Sequence, residues 1–359
     1  MPGVGRILVR RAIALSIALV IIVMLTAVIM EATGYSTKVW LAIINEQVRA
    51  LQMQLQQRQV PIDEQREILE TYKENLTKIY GLDKPWYVRV MPLVQRTLVF
   101  DLGITTKTSP AEVAGVSVPV RVADLIFITL PRTIVMLTVA YLICAAIALS
   151  IAPRLAYRHG TLLDRGVITY AALFNAVPVW WLGMVLLFFF AYNLRLVPTS
   201  GRGIIPLINN FWQDPWNNFI GILHYAALPV FTVVIVLLGS WLYGIRAMVL
   251  RVVREDYVLV AKAKGLPEKL IARRYILRVM APPVTTYVIL ALAGSLGGYI
   301  ITESVFDWPG MGSLYYAAIT SADVPTILGL TYVLTLVYVC ARFLLEVLYI
   351  ILDPRVRLG

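Results

Sequence analysis

Apolar runs long enough to cross a bilayer alternate with polar stretches of unequal length along this chain. The first, Ala12–Met30, carries no charge, matches the roughly 20 residues a membrane helix needs, and follows Arg6, Arg10 and Arg11. A basic flank places that end in the cytoplasm. The run exceeds the apolar core of a cleavable signal peptide and no A-x-A site follows, so it reads as a retained span. Further spans are expected at about Leu125–Ile151, Val167–Tyr192, Ala226 to about Leu250, Val284–Ile301 and Thr326–Leu352. Six spans put both termini on the cytoplasmic side. The predicted fold is therefore an all-α polytopic membrane protein.

The polar stretches divide the chain further. Residues 1–30 form the cytoplasmic N-terminus and first span, 31–121 an extracytoplasmic insertion, and 122–359 a five-helix core. Inside the insertion, Ile44, Val48, Leu51 and Leu55 make one helical stripe and Leu69, Tyr72, Leu76 and Ile79 another. Pro61 and Asp63 break and restart the chain between them, predicting a helical hairpin closed by Gly81. The stripes last about two heptads, short of what a coiled coil needs. Arg154, Arg158 and Arg165 mark a short inside loop, and Arg246–Arg278 carries nine Lys or Arg against three acids.

Four features interrupt the apolar spans. Arg132, near the outer end of the second, reads as snorkelling to the interface. Pro178, beside Trp180 and Trp181, predicts a kink in the third, which serves packing or gating. Gly294, Gly297 and Gly298 suit close helix packing or a pore-lining hinge in the fifth. Arg342 and Glu346, four apart in the sixth, are placed to pair locally. Between the fifth and sixth spans, 303–325 reads as an external turn with three acids and no Lys or Arg, and it contains Val305–Gly312, VFDWPGMG.

The stretch 254–283 is the one long polar segment between strongly apolar runs in the C-terminal half. Asp256–Lys264 contains good helix formers, Gly265 suits a left-handed C-terminal cap, and Pro267 suits the first position of a second helix whose dipole Glu268 complements. Leu266 is then the N-cap, a poor residue for it. Ala261 and Gly265, four apart, predict a smooth face open to another protein surface, ringed by Lys262, Lys264, Lys269, Arg273 and Arg274. The charges alone equally suit an ordinary inside loop.

Composition narrows the function. The 359 residues are 59% hydrophobic and 15% charged, against about 45–50% and about 25% in soluble domains. The formal charge of +11 is spread over loops without interleaved aromatics, which argues against nucleic acid. Cys144 and Cys340 lie in apolar runs, and His159 and His224 are isolated, so no metal-ligand set or disulfide framework forms. No phosphate loop, H-E-x-x-H or G-x-S-x-G is present. The chain is read as non-catalytic, with no cofactor-binding residue of its own.

Several segments, in order, carry a family resemblance. They are GLDKPWYVRV (Gly81–Val90), FDLGIT (Phe100–Thr105), LPRT (Leu130–Thr133), LLDRGV (Leu162–Val167), VPVWWLG (Val177–Gly183) and VPTSG (Val197–Gly201). EDYVLVAKAKGL (Glu255–Leu266), VFDWPGMG and LDPRVR (Leu352–Arg357) complete the set. Together they resemble the permease subunits of binding-protein-dependent ABC importers of the dipeptide, oligopeptide and nickel group, on the side with the longer external insertion.

The resemblance implies that 254–283 is the EAA loop, whose coupling helix fits a groove on an ATPase subunit. Its docking residues are then Asp256, Ala261, Lys262, Ala263, Lys264, Gly265, Leu266, Pro267 and Glu268. The general EAA pattern places an acid where this chain has Leu259, and its Ile-x-Leu-Pro is Tyr275–Arg278 here. Phe306, Asp307, Trp308, Pro309, Gly310 and Met311 would face an extracytoplasmic solute-binding protein. Implied partners are a second homologous permease in a heterodimer, two ATPase subunits holding ATP and magnesium, that binding protein, and the lipid of the plasma membrane. Peptides lead as solute, with oligosaccharides and nickel as alternatives. An ATP-independent secondary transporter or a membrane scaffold are the readings from other classes.

Overall fold

The computed structural model describes residues 4–157 and 160–352, and almost every element is helical. The N-terminal part runs through α1 (Val4–Ala32), α2 (Tyr35–Gln57), α3 (Ile62–Ile79) and α4 (Trp86–Leu98). A two-residue strand β1 (Ile104–Thr105), α5 (Thr108–Ala114) and strand β2 (Val120–Arg121) follow, the strands pairing antiparallel. Next come α6 (Val122–Tyr157), α7 (Leu162–Asn175), α8 (Val179–Leu186), α9 (Ile204–Asn209) and α10 (Pro215–Val253). The remainder is α11 (Asp256–Ala263), α12 (Glu268–Leu270), α13 (Leu277–Gly298), α14 (Ile300–Val305), α15 (Met311–Thr320) and α16 (Val324–Leu352).

Four helices among the described residues are long and apolar enough to cross a membrane: Leu8–Ala32, Val122–Leu155, Pro215–Val253 and Val324–Val347. They correspond to the first, second, fourth and sixth expected spans. The third is not one kinked helix. Leu162–Asn175 and Val179–Asn193 meet at 93°, a bend far beyond a proline kink, and together count as a fifth candidate. Pro178, expected inside a helix, is instead the N-cap of α8 in extended conformation, and the backbone after Leu186 widens into a π-helical turn, Leu187–Asn193. The expected fifth span falls on α13 and ends at Tyr299 before α14 begins. Gly294, Gly297 and Gly298 lie in its last turns, and what surrounds them is outside the described residues, as are His159, Arg158 and the DPRVR segment.

Two apolar clusters share α6 as their spine. Val122, Leu125 and Ile126 at its start pack with α1, α4, α15 and α16, through Val23, Val94, Met311 and Leu330. From Met136 to Ala152, α6 packs on α10, whose Trp241, Ile245 and Val249 are buried there. The insertion is a helical hairpin as its stripes predict, with Ile44 and Leu76 buried, although Ile79 is 74% exposed. Glu31 at the end of α1 anchors it. It accepts from Ser36 at 2.7 Å and pairs at 3.0 Å with Arg89 of α4, which also donates to Thr37. Glu346 pairs with Arg11 across to α1 at 3.8 Å rather than with Arg342 on its own helix.

Candidate functional site

Two features stand out: the corner at 254–283 and the turn at 305–312. The corner begins directly after α10. Helix α11 closes in a Schellman motif, Gly265 N–H donating to Lys262 C=O at 2.9 Å and Leu266 N–H to Ala261 C=O at 3.3 Å. Gly265 supplies the left-handed backbone this needs, with φ of 70°. Pro267, not Leu266, is the N-cap of α12, and Glu268 opens the helix. With no N–H to satisfy, proline loses little there.

The smooth face is split: Gly265 is exposed, but Ala261 does not point outward. Ala261 is 2% exposed and packs with Val258, Ile271 and Ile276 into the α6–α10 cluster, so it locks the corner to its own chain. The exposed surface is a strip of Tyr257, Leu259 and Val260, continued by Lys262, Ala263, Lys264 and Gly265, and then by Pro267 and Glu268. Leu259 and Val260 are 53% and 51% exposed. Leu266 is half-buried against the core.

The turn is likewise more interior than its composition suggests. Phe306, Trp308, Pro309, Gly310 and Met311 are all buried, leaving Asp307 half-exposed. Asp307 accepts from Ser200 Oγ and Arg202 Nε, both at 2.7 Å. Gly201 lies against the turn backbone: its N–H donates to Phe306 C=O at 2.9 Å, and a Cβ there would stand 3.0 Å from Trp308 Cα. The Phe306 ring covers Gly183 of α8 in the same way.

Beneath the turn, Arg132 and Thr133 of α6 reach it from below. Arg132 is 8% exposed and does not snorkel. Its Nη1 faces the carbonyls of Val113, Ala114 and Pro309 at 3.3–3.5 Å. Met311 N–H donates to Thr133 Oγ1 at 2.7 Å, and that hydroxyl donates to Glu303 Oε1 at 2.9 Å. Glu303 Oε2 accepts from the N–H groups of Gly312 and Ser313. Far from being a surface acid, Glu303 is 1% exposed and satisfies the first turn of α15. Burial pushes its carboxyl up to about 7, against the pull of the Thr133, Ser313 and Gly312 hydrogen bonds.

Residues 143–358 match the family described as the binding-protein-dependent transport system inner membrane component. The chain belongs to this family. It is 30% identical over 311 residues to the di/tripeptide transport system permease protein DppB of Pseudomonas aeruginosa, covering 83% of this chain and 89% of that one. It is 29% identical over 303 residues to the probable D,D-dipeptide transport system permease protein DdpB of Escherichia coli, with 80% and 84% covered. Over 292 residues it is 26% identical to the oligopeptide transport system permease protein AppB of Bacillus subtilis, with 81% and 86% covered.

In this permease, segments scattered in sequence converge. LPRT, VPVWWLG, VPTSG and VFDWPGMG all meet at the turn, through Thr133, Gly183, Gly201 and Phe306. LLDRGV contributes Asp164, whose carboxylate is held by Nε and Nη2 of Arg246 on α10. Sequence reading passed over Glu303, Thr133, Asp164 and Arg246 as participants. One signal was present: Thr161-x-x-Asp164 has capping-box spacing, and Thr161 Oγ1 does accept from Asp164 N–H. A cavity of about 1000 Å³ lies between the insertion and the start of α16 and shares no lining residue with the corner or the turn.

Proposed function

We propose that this permease, paired with a second homologous permease, forms the path through which peptides are imported at the expense of ATP hydrolysed in two partner subunits. Peptide as solute is supported by the three relatives described above, whose names all specify peptides. Both termini and the corner at 254–283 then face the cytoplasm, and the insertion and the turn face the binding protein. The excess of Lys and Arg in the corner supports that orientation.

The observation that carries the docking assignment is the strip at the corner. Leu259 and Val260 are exposed apolar residues in a basic polar loop, on a helix whose opposite face is locked into the chain's own core. Exposed apolar surface on a rigid platform suits a protein groove. Lys262, Lys264 and Glu268 would rim the contact. ATP and magnesium belong to the partner subunits. Alternating access follows from coupling: ATP binding favours one of two arrangements only through contacts that differ between them, and the docked corner provides those contacts.

The test is co-purification of the ATPase subunits with Leu259→Asp and Val260→Asp. The expected result is loss of the ATPases and of ATP-dependent uptake, with the permease pair intact. Retention of both activities would remove the strip from the interface. For the solute, thermal stabilisation of the partner binding protein by di- and tripeptides, and not by oligosaccharides or nickel, is expected.

A further inference from the structure

We infer that α7, the C-terminal half of α10 and the corner move as one lever, that Asp164 and Arg246 are the positioning pair at its corner end, and that 176–178 is the hinge. This inference rests on the docking assignment made above.

Four contacts tie α7 to α10 along its length. At its first turn, Arg246 holds both carboxylate oxygens of Asp164, which is 1% exposed and also accepts from Gly160 N–H at 2.9 Å. In the middle, Tyr170 donates its hydroxyl to Ile235 C=O, and the backbones approach so closely that a Cβ on Gly239 would lie 2.7 Å from Ala171 Cα. At the far end, Ser240 bonds Asn175. A packed interface with backbone contact and a buried bidentate ion pair resists sliding, because close-packed interiors do not deform continuously.

The same half of α10 carries the corner. Arg254 and Glu255 alone separate α10 from α11, and Val258, Ala261, Ile271 and Ile276 sit in one apolar cluster with Ile245 and Val249. A push on the corner therefore reaches α7 directly. Past Asn175 the connection changes: the chain turns 93°, and Gly183 of α8 lies under Phe306 of the turn and beside Thr232 in the N-terminal half of α10, rather than against α7. Residues 176–178 are the short segment able to absorb rotation between the two bodies. Breaking the Asp164–Arg246 pair removes the bidentate link at the lever's driven end, and so loosens α7 from the corner without touching the docking strip.

The complete transporter, with binding protein and ATPases, is reconstituted in liposomes carrying Asn175→Cys and Ser240→Cys in a Cys340→Ser background. If α7 and α10 move together, oxidising this pair leaves uptake within about twofold of the reduced sample. Uptake abolished on oxidation and restored by reductant overturns the lever, and the comparison is made on one folded protein. In parallel, Asp164→Asn and Arg246→Gln are expected to keep the ATPases bound and basal hydrolysis within about twofold, while solute imported per ATP falls at least fivefold. Arg246→Lys is expected to recover at least half of it. Unchanged solute per ATP in both variants, or loss of the ATPases from the complex, overturns the positioning role. Failure of the docking assignment is read separately, as ATPase retention in Leu259→Asp.

Discussion

Thr133 donates its hydroxyl to Glu303 at 2.9 Å across 170 residues of chain, and the two together cap a helix to which neither belongs. The N-cap of α15 is Gly310, which has no side chain to offer the helix's first N–H groups. Thr133 takes Met311 N–H, and Glu303 takes those of Gly312 and Ser313. The chain thereby fixes α15 to α6 and α14, and the turn at 305–312 is held from beneath.

Replacing Glu303 with Ala strands buried donors, each with a desolvation cost of about 1–3 kcal/mol. A clear loss of thermal stability of the purified permease is expected, with Glu303→Gln milder because its oxygen still accepts. Unfolding midpoints in detergent compare the three proteins. Equal midpoints for wild type and Glu303→Ala would show that the cap contributes nothing.

The same carboxyl predicts a pH dependence. Its folded value, about 7, lies above the ordinary 4.5. The stability it contributes is therefore fully present below about 4.5 and is lost as pH rises through 7. The midpoint of the wild type is expected to fall relative to Glu303→Gln between pH 5 and 8. A constant difference across that window would contradict the raised value.

Gly201→Ala tests the seam between the 197–201 segment and the turn. The new methyl group would meet Trp308 Cα at 3.0 Å and the carbonyl oxygens of Phe306 and Asp307 at 3.2 Å. These are backbone atoms and cannot rotate away, so a loss of about 1–3 kcal/mol is expected. Reduced uptake should accompany a lower midpoint, and a variant with wild-type values of both would exclude tight packing there.

Gly265→Ala separates backbone strain from steric conflict at the corner. No atom lies within 4 Å of a Cβ at this position, yet the backbone is left-handed at φ 70°. The cost is roughly 1–2 kcal/mol of local strain, and Gly265→Asn should be better tolerated. ATPase retention ranked Gly, then Asn, then Ala is the expected order, measured by co-purification at rising salt.

The local chemistry of the corner was readable residue by residue. Gly265 as a left-handed stop and the break at Pro267 are properties of single backbone positions, so they hold in any context. The side on which Ala261 faces was not readable, because a small residue suits its own core and a partner's groove equally. Similarly, Pro178 announced a break, but whether it yields a kink or a 93° corner depends on what α7 and α8 pack against, which are α10 and the turn. Arg132 shows the reverse case: snorkelling is the default for an arginine near a span's end, and three carbonyls contributed from two other segments changed that outcome.

By itself, then, the sequence determined a helical membrane protein, four of its six expected spans and several of the places where helices stop, since these follow from apolar length and from backbone restrictions at glycine and proline. Tertiary structure alone decided which polar residues are buried together. Asp164 with Arg246, and Thr133 with Glu303, meet across 82 and 170 residues. Buried hydrogen bonds need partners in three dimensions, and no local pattern encodes which distant segment will supply them.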